Sequence, residues 1–266
     1  MVEKLAGVDG VIAGVEEYDA ELLESFPRLR CISRCGVGTD SIDLEAARRL
    51  NIAVLTTIDE VVEPVAEMTL AMILALARNL SVHIHDFHQG LWKKHTGFLL
   101  SEWTIGLVGY GRIARAVHHL LRSFRCRVIA SDPYLKREEF PDTELVPLEF
   151  LLTQSDVVSL HATRPKEQGA ILGYREMAMM KKGCRLINTS RGYLVDESAL
   201  FQLLKSGDIS AAGLDVFADE PYSGALTQLP QVLCTPHVST MTRASRSGME
   251  MRAVTNLIDH FSHRQT

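Results

Sequence analysis

The sequence has no long hydrophobic run, and its longest uninterrupted apolar segment, Leu70–Ala77, has only eight residues. A membrane-spanning helix needs about 20 apolar residues, so we expect no membrane association. The first residues do not combine a basic region with an apolar core, so we also expect no secretion signal. The formal net charge is −5 and the basic residues form no stripe, which makes nucleic acids poor candidate partners.

Cysteine is scarce, and its spacing does not indicate a metal site or a disulfide framework. There are five cysteines, an odd number, and no C-x-x-C pair. Each lies in or beside a strand-like run, where cysteine usually acts as a small hydrophobic residue. We therefore predict a cytoplasmic protein with reduced thiols.

Three histidines, His83, His85 and His88, lie close together and raise the question of a metal site. Their spacings of two and three residues do not place all three on one helical face, and no cysteine joins them. We therefore predict no metal. The segment that continues to Trp92 is more typical of an arm that packs on another domain or subunit.

Short strand-like runs alternate with helical patterns along the chain, which is typical of parallel sheets in an α/β fold. The alternation is uninterrupted from Thr104 to His237. The strands before Pro64 cannot join that later sheet without a very long crossover, so we predict two domains. The predicted boundaries are a substrate domain over 1–72, an NAD-binding domain over 73–239 and a C-terminal helix over 240–266 that returns to the substrate domain.

A glycine turn of the dinucleotide-binding type, Gly109-Tyr-Gly111-Arg-Ile-Ala114, follows a buried strand-like run and opens a helical pattern. The first glycine allows the tight turn, the second lets the backbone approach a pyrophosphate, and Ala114 is small enough for helix–strand packing. A second strand-like run ends at Asp132, 23 residues after Gly109, close to the ~20 expected for an acid that binds the ribose. An ordinary βαβ turn is the alternative interpretation. Because an aspartate repels a 2′-phosphate and no basic residue follows it directly, the pattern favours NAD over NADP.

Three residues suited to hydride chemistry, Arg191, Glu220 and His237, each follow a strand-like run. Open α/β sheets bind ligands at the carboxyl ends of their strands, so these side chains could meet in one site. A histidine can exchange a proton with a substrate oxygen near neutral pH. A paired carboxylate favours its charged form, and an arginine matches a substrate carboxylate in bidentate geometry. Taken singly, each could instead be an ordinary core or surface residue.

The chain resembles the D-isomer-specific 2-hydroxyacid dehydrogenase family, nearest to its D-3-phosphoglycerate dehydrogenase-like members. Each matching segment is weak by itself, but all of them occur in order along nearly the entire chain. Besides the glycine turn they are Arg34–Asp40, Val65–Glu67, Gly90–Trp92, Leu160–His161, Ile187–Gly192, Gly213–Phe217 with Glu220–Pro221, and Thr235–His237.

The resemblance implies a Rossmann-type doubly wound parallel sheet and a flavodoxin-like substrate domain. It implies that His237 is the general acid/base, that Glu220 orients it, and that Arg191 holds the substrate carboxylate. The remaining roles that it implies are backbone contacts to that carboxylate from Gly36, Val37 and Gly38, pyrophosphate contacts from Arg112 and Ile113, cofactor backbone contacts from Thr189 and Ser190, and a nicotinamide carboxamide contact from Asp215.

The chain departs from the family pattern in two places that matter. Val61 stands where the family commonly has asparagine near the substrate, which affects substrate choice. The family's first strand has no counterpart in the sequence, so we expect the substrate domain to lack its first strand, with unpaired backbone and exposed apolar surface unless another element fills the place.

Two functions follow from these residues. The first is an NAD-dependent oxidoreductase that acts on a small D-2-hydroxy acid or 2-keto acid of the 3-phosphoglycerate, glycerate or glyoxylate type. We expect it to work as a homodimer. The second is a catalytically weak NAD(H)-binding homologue that acts as a nucleotide-sensing or interaction protein. The intact Arg191, Glu220 and His237 set favours the enzyme.

Overall fold

The computed structural model describes residues 7–163 and 166–262, and it contains two compact units. One unit combines the chain up to Pro64 with the chain from Thr240 onward, and the other runs from Val65 to Ser239. The first division lies earlier than the boundary predicted between 72 and 73, and the second lies where one was predicted. The functional domains remain a prediction, and residues 1–6 and 263–266 of the predicted ranges lie outside the described residues.

The described residues form strands and helices that alternate along most of the chain. The strands are β1 Gly10–Ala13, β2 Cys31–Arg34, β3 Ala53–Thr56, β4 Thr104–Val108, β5 Arg127–Ser131, β6 Glu144–Leu145, β7 Val157–Leu160, β8 Cys184–Asn188, β9 Ile209–Leu214 and β10 Val232–Cys234. The helices are α1 Ala20–Glu24, α2 Leu44–Arg49, α3 Val62–Ala77, α4 Leu80–His88, α5 Arg112–Leu121, α6 Leu148–Gln154, α7 Tyr174–Ala178, α8 Glu197–Ser206 and α9 Arg243–Ser262. Single-turn 3-10 helices cover Asp59–Val61, Leu100–Glu102, Arg122–Phe124, Arg137–Glu139, Lys166–Gln168, Gly192–Leu194 and Ala225–Gln228.

The first unit is built on a parallel sheet in the order β1-β2-β3. Helix α9 packs on all three strands, and the Nδ2 of Asn256 donates to the Oγ of Ser33 and to the backbone oxygen of Thr56 at 3.4 and 3.3 Å. Within the described sheet β1 is an edge strand, and Ile12 on it is 44% exposed. This unit therefore has an open parallel edge with an apolar side chain on it.

The second unit is a seven-stranded sheet in the order β10-β9-β8-β7-β4-β5-β6, and every pairing in it is parallel. The strand order reverses beside β4, because β5 and β6 extend the sheet to one side and β7 to β10 extend it to the other. Ligands of open α/β sheets bind at the carboxyl ends of the strands, beside such a reversal. This is the predicted Rossmann-type arrangement.

Both faces of this larger sheet are buried. Ile105 and Leu107 of β4 belong to a core with Leu76 of α3 and Val117 of α5. On the opposite face, a Cβ on Gly106 would lie 2.6 Å from the Cδ2 of Leu151 in α6. The alternation along β4 follows from the two-residue repeat of a strand, and it explains the nearly continuous apolar sequence of this run.

Helices α3 and α4 are separated by a break at Asn79. Helix α3 covers Val62–Ala77, and Asn79 has a φ of +50°. A residue in this left-handed conformation ends a helix, and asparagine tolerates it better than most residues do. None of the helices within the described residues is both long and apolar enough to span a membrane.

Candidate active site

The three strand-end residues follow neighbouring strands of the larger sheet. Arg191 follows β8, Glu220 follows β9 and His237 follows β10, and these strands lie side by side. Their last residues are paired across the sheet, Asn188 with Leu214 and Leu214 with Cys234. Because all three strands are parallel, the segments that follow them leave the sheet at the same edge.

Glu220 and His237 form a hydrogen-bonded pair, with 2.9 Å between Glu220 Oε2 and His237 Nδ1. The other carboxylate oxygen, Oε1, accepts from the backbone N–H of Phe217 at 3.0 Å, which fixes the carboxylate beside the end of β9. The His237 side chain is 52% exposed. One ring nitrogen is therefore held by a carboxylate within an imidazole that remains accessible, which is the arrangement that a proton-transferring histidine needs.

Arg191 is partly buried, and its Nη1 donates to the backbone oxygen of Ser190 at 2.7 Å. The backbone oxygen of Arg191 accepts from the Nδ2 of Asn188 at 2.8 Å. The next residue, Gly192, lies directly against the backbone of Phe217, where a Cβ would overlap the main chain. This close approach brings the segment that carries Arg191 against the one that carries Glu220.

Glu197 anchors the same segment from helix α8, and the sequence patterns did not reveal it. Its Oε1 accepts from the backbone N–H of Ala218 at 2.7 Å. Burial raises the pKa of the Glu197 carboxyl, Asp219 and Asp196 add to that effect, and the bond from Ala218 opposes it. A glutamate at the first position of a helix is common, so no sequence signal marked this residue.

Asp215 is fully buried at the end of β9, and its carboxylate binds the turn that carries His237. Oδ1 accepts from Thr235 Oγ1 at 2.5 Å and from the backbone N–H of Val238 at 2.9 Å. Oδ2 accepts from the backbone N–H and from the hydroxyl of Ser239, at 2.9 and 2.5 Å. The backbone N–H of His237 donates to the backbone oxygen of Asp215 at 2.8 Å. Four of these bonds therefore end on one carboxylate.

The glycine turn has the geometry that its spacing predicts. Gly109 has a φ of +86°, and a Cβ there would lie 2.7 Å from the backbone oxygen of His161, so only glycine fits. Gly111 begins α5, and a Cβ on it would meet nothing within 4 Å. Open space in front of a helix N-terminus is where a pyrophosphate can approach backbone N–H groups. Arg112 and Ile113 are the first two residues of that helix, exposed and partly buried respectively.

Asp132 follows β5 next to the glycine turn. Its Oδ2 accepts from the backbone N–H of Tyr110 at 2.9 Å, and its Oδ1 accepts from the backbone N–H of Tyr134 at 3.0 Å. The carboxylate is thus oriented by backbone groups on both sides. Carboxylate oxygens have further acceptor capacity, so the residues present fit a ribose with two hydroxyl donors.

The side chains of Thr189 and Ser190 have partners within the protein. Thr189 Oγ1 lies 2.9 Å from Thr69 Oγ1, and Ser190 Oγ donates to the backbone oxygen of Leu160 at 2.8 Å. These bonds fix the segment between β8 and Arg191. The backbone of Ser190, which the resemblance assigned to the cofactor, is engaged as well: its N–H donates to Asn188 Oδ1 at 3.0 Å and its oxygen accepts from Arg191 Nη1 at 2.7 Å.

His161 is a second residue whose environment the sequence did not reveal. It follows β7 beside Gly109, and its Nε2 lies 2.9 Å from Ser159 Oγ. Its Nδ1 is sealed from solvent and has no hydrogen-bond partner among the described residues. Burial lowers the pKa of His161 from 6.5 to about 4. The ring is therefore neutral at physiological pH.

The loop Gly36–Gly38 belongs to the first unit. Gly36 has a φ of +140°, and its backbone N–H donates to Thr57 Oγ1 at 2.8 Å. That N–H is engaged inside the unit, so the predicted carboxylate contact applies better to Val37 and Gly38 than to Gly36.

His83 of α4 and the nearby His95 both contact protein groups. His83 Nε2 lies 3.2 Å from the backbone oxygen of His95, and His95 Nε2 lies 2.7 Å from Asp86 Oδ2. Over residues 7–163 and 166–262, no cluster of three His, Cys, Asp or Glu side chains has the arrangement of a metal site.

Residues 70–239 match the family model of the D-isomer specific 2-hydroxyacid dehydrogenase NAD-binding domain. The chain belongs to this family. The NAD-binding function of the second unit, predicted from the glycine turn, is confirmed by this match.

Relatives of known activity match nearly the entire chain. The glyoxylate reductase of Thermococcus litoralis is 36% identical over 275 residues, which cover 97% of this chain and 82% of the relative. The D-3-phosphoglycerate dehydrogenase of Archaeoglobus fulgidus is 33% identical over 255 residues, which cover 94% of this chain and 48% of the relative.

A solved structure adds a cofactor complex. The D-lactate dehydrogenase of Aquifex aeolicus, complexed with NAD and lactic acid, superposes with a TM-score of 0.89 at 29% identity, covering 99% of this chain and 86% of that one. The protein is accordingly an NAD-dependent oxidoreductase of 2-hydroxy acids, and its substrate class is a small hydroxy or keto acid. The alternative of a nucleotide-sensing homologue has no support from these relatives.

Proposed function

We propose that the protein reduces a small 2-keto acid of the glyoxylate type with NADH, using His237, Glu220 and Arg191. The observation that carries this proposal is the 2.9 Å hydrogen bond between Glu220 and His237 at the carboxyl edge of three neighbouring strands. Relatives named glyoxylate reductase support the substrate, since they align with nearly the entire chain.

His237 gives its proton to the substrate oxygen during reduction and takes it back during oxidation. Glu220 accepts from Nδ1, which turns Nε2 toward the substrate. Arg191 binds the substrate carboxylate through two parallel N–H bonds and keeps the carbonyl beside His237. The contacts of Val37 and Gly38 with a substrate carboxylate stay a prediction from the resemblance.

The cofactor is held by the edge of the sheet around β4. When NADH is bound there, it supplies the hydride that adds to the carbonyl carbon. Gly109 and Gly111 let the backbone of the turn approach the pyrophosphate, together with Arg112 and Ile113. Asp132 accepts from the ribose hydroxyls. The resemblance also assigns cofactor contacts to the backbone of Thr189 and Ser190 and a nicotinamide carboxamide contact to Asp215.

The test is a steady-state assay with NADH and three 2-keto acids: glyoxylate, pyruvate and a phosphorylated keto acid. We expect glyoxylate to have the highest kcat/KM. The matched control is His237→Ala, in which kcat should fall by roughly 10²–10⁴-fold while the NADH dissociation constant changes little. A preparation that binds NADH but reduces none of the three acids would refute the proposal.

We also propose that the protein is a homodimer, assembled through the arm, which we define as residues 80–99. Leu80, Ile84 and Phe87 lie on one face of α4, at spacings of four and three residues, and all are exposed. Trp92 is 83% exposed and packs beside Phe87 at 6.2 Å between ring centroids. Exposed apolar clusters of this kind mark protein–protein contacts, and a second copy of the chain is the partner we propose.

We further propose that the protein resides in the cytoplasm. All five cysteines, Cys31, Cys35, Cys126, Cys184 and Cys234, are free thiols. Free thiols at several depths within a fold are typical of a reducing compartment.

A further inference from the structure

His237 adopts a backbone conformation that a side chain disfavours. Its φ is +52°, in the left-handed region. Non-glycine residues keep such a conformation only when the surrounding structure holds it. The contacts that hold this one are therefore part of what orients the imidazole.

Asp215 supplies most of those contacts. Its backbone oxygen accepts from His237 itself, and its carboxylate accepts from Thr235 on one side and from Val238 and Ser239 on the other. Thr235, two residues before His237, and the two residues that follow it are thus bound to one buried carboxylate. The turn cannot rotate without breaking charge-assisted bonds, which are stronger than ordinary ones.

We propose that Asp215 is a positioning residue, which acts with Thr235 and Ser239 to hold the turn that presents His237. A carboxylate has about four acceptor positions, and the turn provides four donors to this one. A hydrogen bond to a nicotinamide carboxamide would then have to replace one of these bonds. The inference rests on the proposed function, because it assumes that His237 transfers the proton.

Ser239→Ala separates positioning from cofactor binding. The variant removes one donor to Asp215 and leaves its charge in place. If Asp215 positions His237, kcat for the keto acid should fall roughly 10-fold with an unchanged NADH dissociation constant. If Asp215 instead binds only the cofactor, loss of the Ser239 hydroxyl frees one acceptor position on the carboxylate. The variant should then have the wild-type kcat and an equal or lower NADH dissociation constant. This outcome would overturn the proposal.

Two further variants complete the set. Ser239→Thr retains a hydroxyl and should restore most of the lost kcat. Ser210→Ala is the matched control, because the Ser210 hydroxyl donates to the backbone oxygen of Gly183 at 2.6 Å, at the other end of β9. It should leave kcat unchanged, so a similar fall in Ser210→Ala would show a general structural effect and contradict the proposal.

A double-mutant cycle tests whether the residues work as one unit. Asp215→Asn replaces one carboxylate oxygen with a donor, so kcat should fall further than in Ser239→Ala. In the double variant, Ser239→Ala should lower kcat little further, because the carboxylate that accepts from the Ser239 hydroxyl is already altered. Fully additive losses would contradict a shared role.

NMR of the His237 ring provides a readout that does not depend on turnover. If the wild-type protein reduced no keto acid, the proposed function would fail, but the ring resonances would still report on the turn. We expect them to shift or broaden in Ser239→Ala and to remain in place in Ser210→Ala. Unchanged His237 resonances in Ser239→Ala would overturn the positioning role by themselves.

Discussion

At the residue scale, the bond between Glu220 and His237 leads to a prediction about catalysis. Glu220→Gln keeps a hydrogen-bonding group at this place but removes its negative charge. A hydrogen bond to a charged group is roughly twice as strong as a neutral one, so the variant should hold the imidazole less firmly. We expect kcat for keto-acid reduction to fall by roughly 10-fold, with an unchanged NADH dissociation constant.

The measurement for Glu220→Gln is steady-state kinetics of keto-acid reduction together with NADH binding. Arg191→Lys serves as the comparison, because it removes bidentate binding without touching the histidine. It should raise the KM of the keto acid as well as lower kcat. A kcat of Glu220→Gln equal to that of the wild-type protein would refute the pairing.

His161 leads to a second residue-scale prediction, which concerns stability. Its pKa in the folded protein is lowered to about 4, whereas an unfolded chain takes up the proton near 6.5. Between these values the unfolded state binds more protons, so the free energy of unfolding decreases as the pH falls through this window. Since one pKa unit corresponds to about 1.4 kcal/mol, the difference between 6.5 and about 4 gives at most about 3.5 kcal/mol for this group.

Urea denaturation of His161→Gln at several values between pH 4 and pH 7 checks this effect. The advantage of the wild-type protein over the variant should shrink as the pH falls, because the variant has no proton to take up at this position. His88→Gln, at an exposed position, controls for the substitution itself. A constant difference between wild type and His161→Gln would contradict the assigned burial effect.

The sequence predicted the types of the site residues and their positions at the ends of strands. These follow from short apolar segments and from the rule that open sheets bind ligands at the carboxyl ends of their strands. It did not predict the residues that hold them in place. Glu197 and Ser239 lie 21 and 24 residues from the groups that they bind, Ala218 and Asp215, and only the folded chain brings them together. The roles of Asp215 and Gly36 likewise depend on hydrogen bonds that no spacing encodes.

At the element scale, the arm leads to a prediction about assembly. Trp92→Ser removes its most exposed aromatic side chain and should weaken the dimer, by about 10-fold or more in the dissociation constant. Light scattering across a dilution series measures the change. Tyr134→Ser is the matched control, because Tyr134 is 90% exposed and lies outside the arm. A wild-type protein that is monomeric throughout, or a Trp92→Ser variant with an unchanged constant, would refute the proposal.

Element boundaries were predicted best where the sequence carries a distinct signal. Helix α5 begins directly after Gly111, where the glycine turn predicted a helix. The left-handed conformation of Asn79 separates α3 from α4, and an apolar pattern alone does not reveal such a break. Strand β10 ends at Cys234, and the turn bound to Asp215 follows it.

At the scale of the whole molecule, cofactor preference is open to a direct measurement. NADH should raise the melting temperature, because a ligand that binds only the folded state stabilises it. NADPH should raise it less, since Asp132 would repel a 2′-phosphate. Asp132→Ala should narrow the difference between the two cofactors. If NADH and NADPH raised the melting temperature of the wild-type protein equally, the role given to Asp132 would be refuted.

The two units should also differ in how readily they unfold locally. The first unit rests on three short strands with an edge at β1, whereas the seven-stranded sheet is buried on both faces. Backbone amides of residues 10–56 should therefore exchange with solvent faster than those of residues 104–234. Hydrogen-exchange mass spectrometry of the apo protein measures this, and equal protection of both sheets would contradict it.

The split composition of the first unit has a consequence for how the protein is made. Its strands are synthesised early, but helix α9, which covers them, is synthesised after the whole of the second unit. The Ser245 hydroxyl, for example, donates to the backbone oxygen of Glu60 at 2.9 Å across that interval. On the ribosome, the early strands therefore stay uncovered while the second unit is synthesised. The second unit can thus complete its folding before the first unit does.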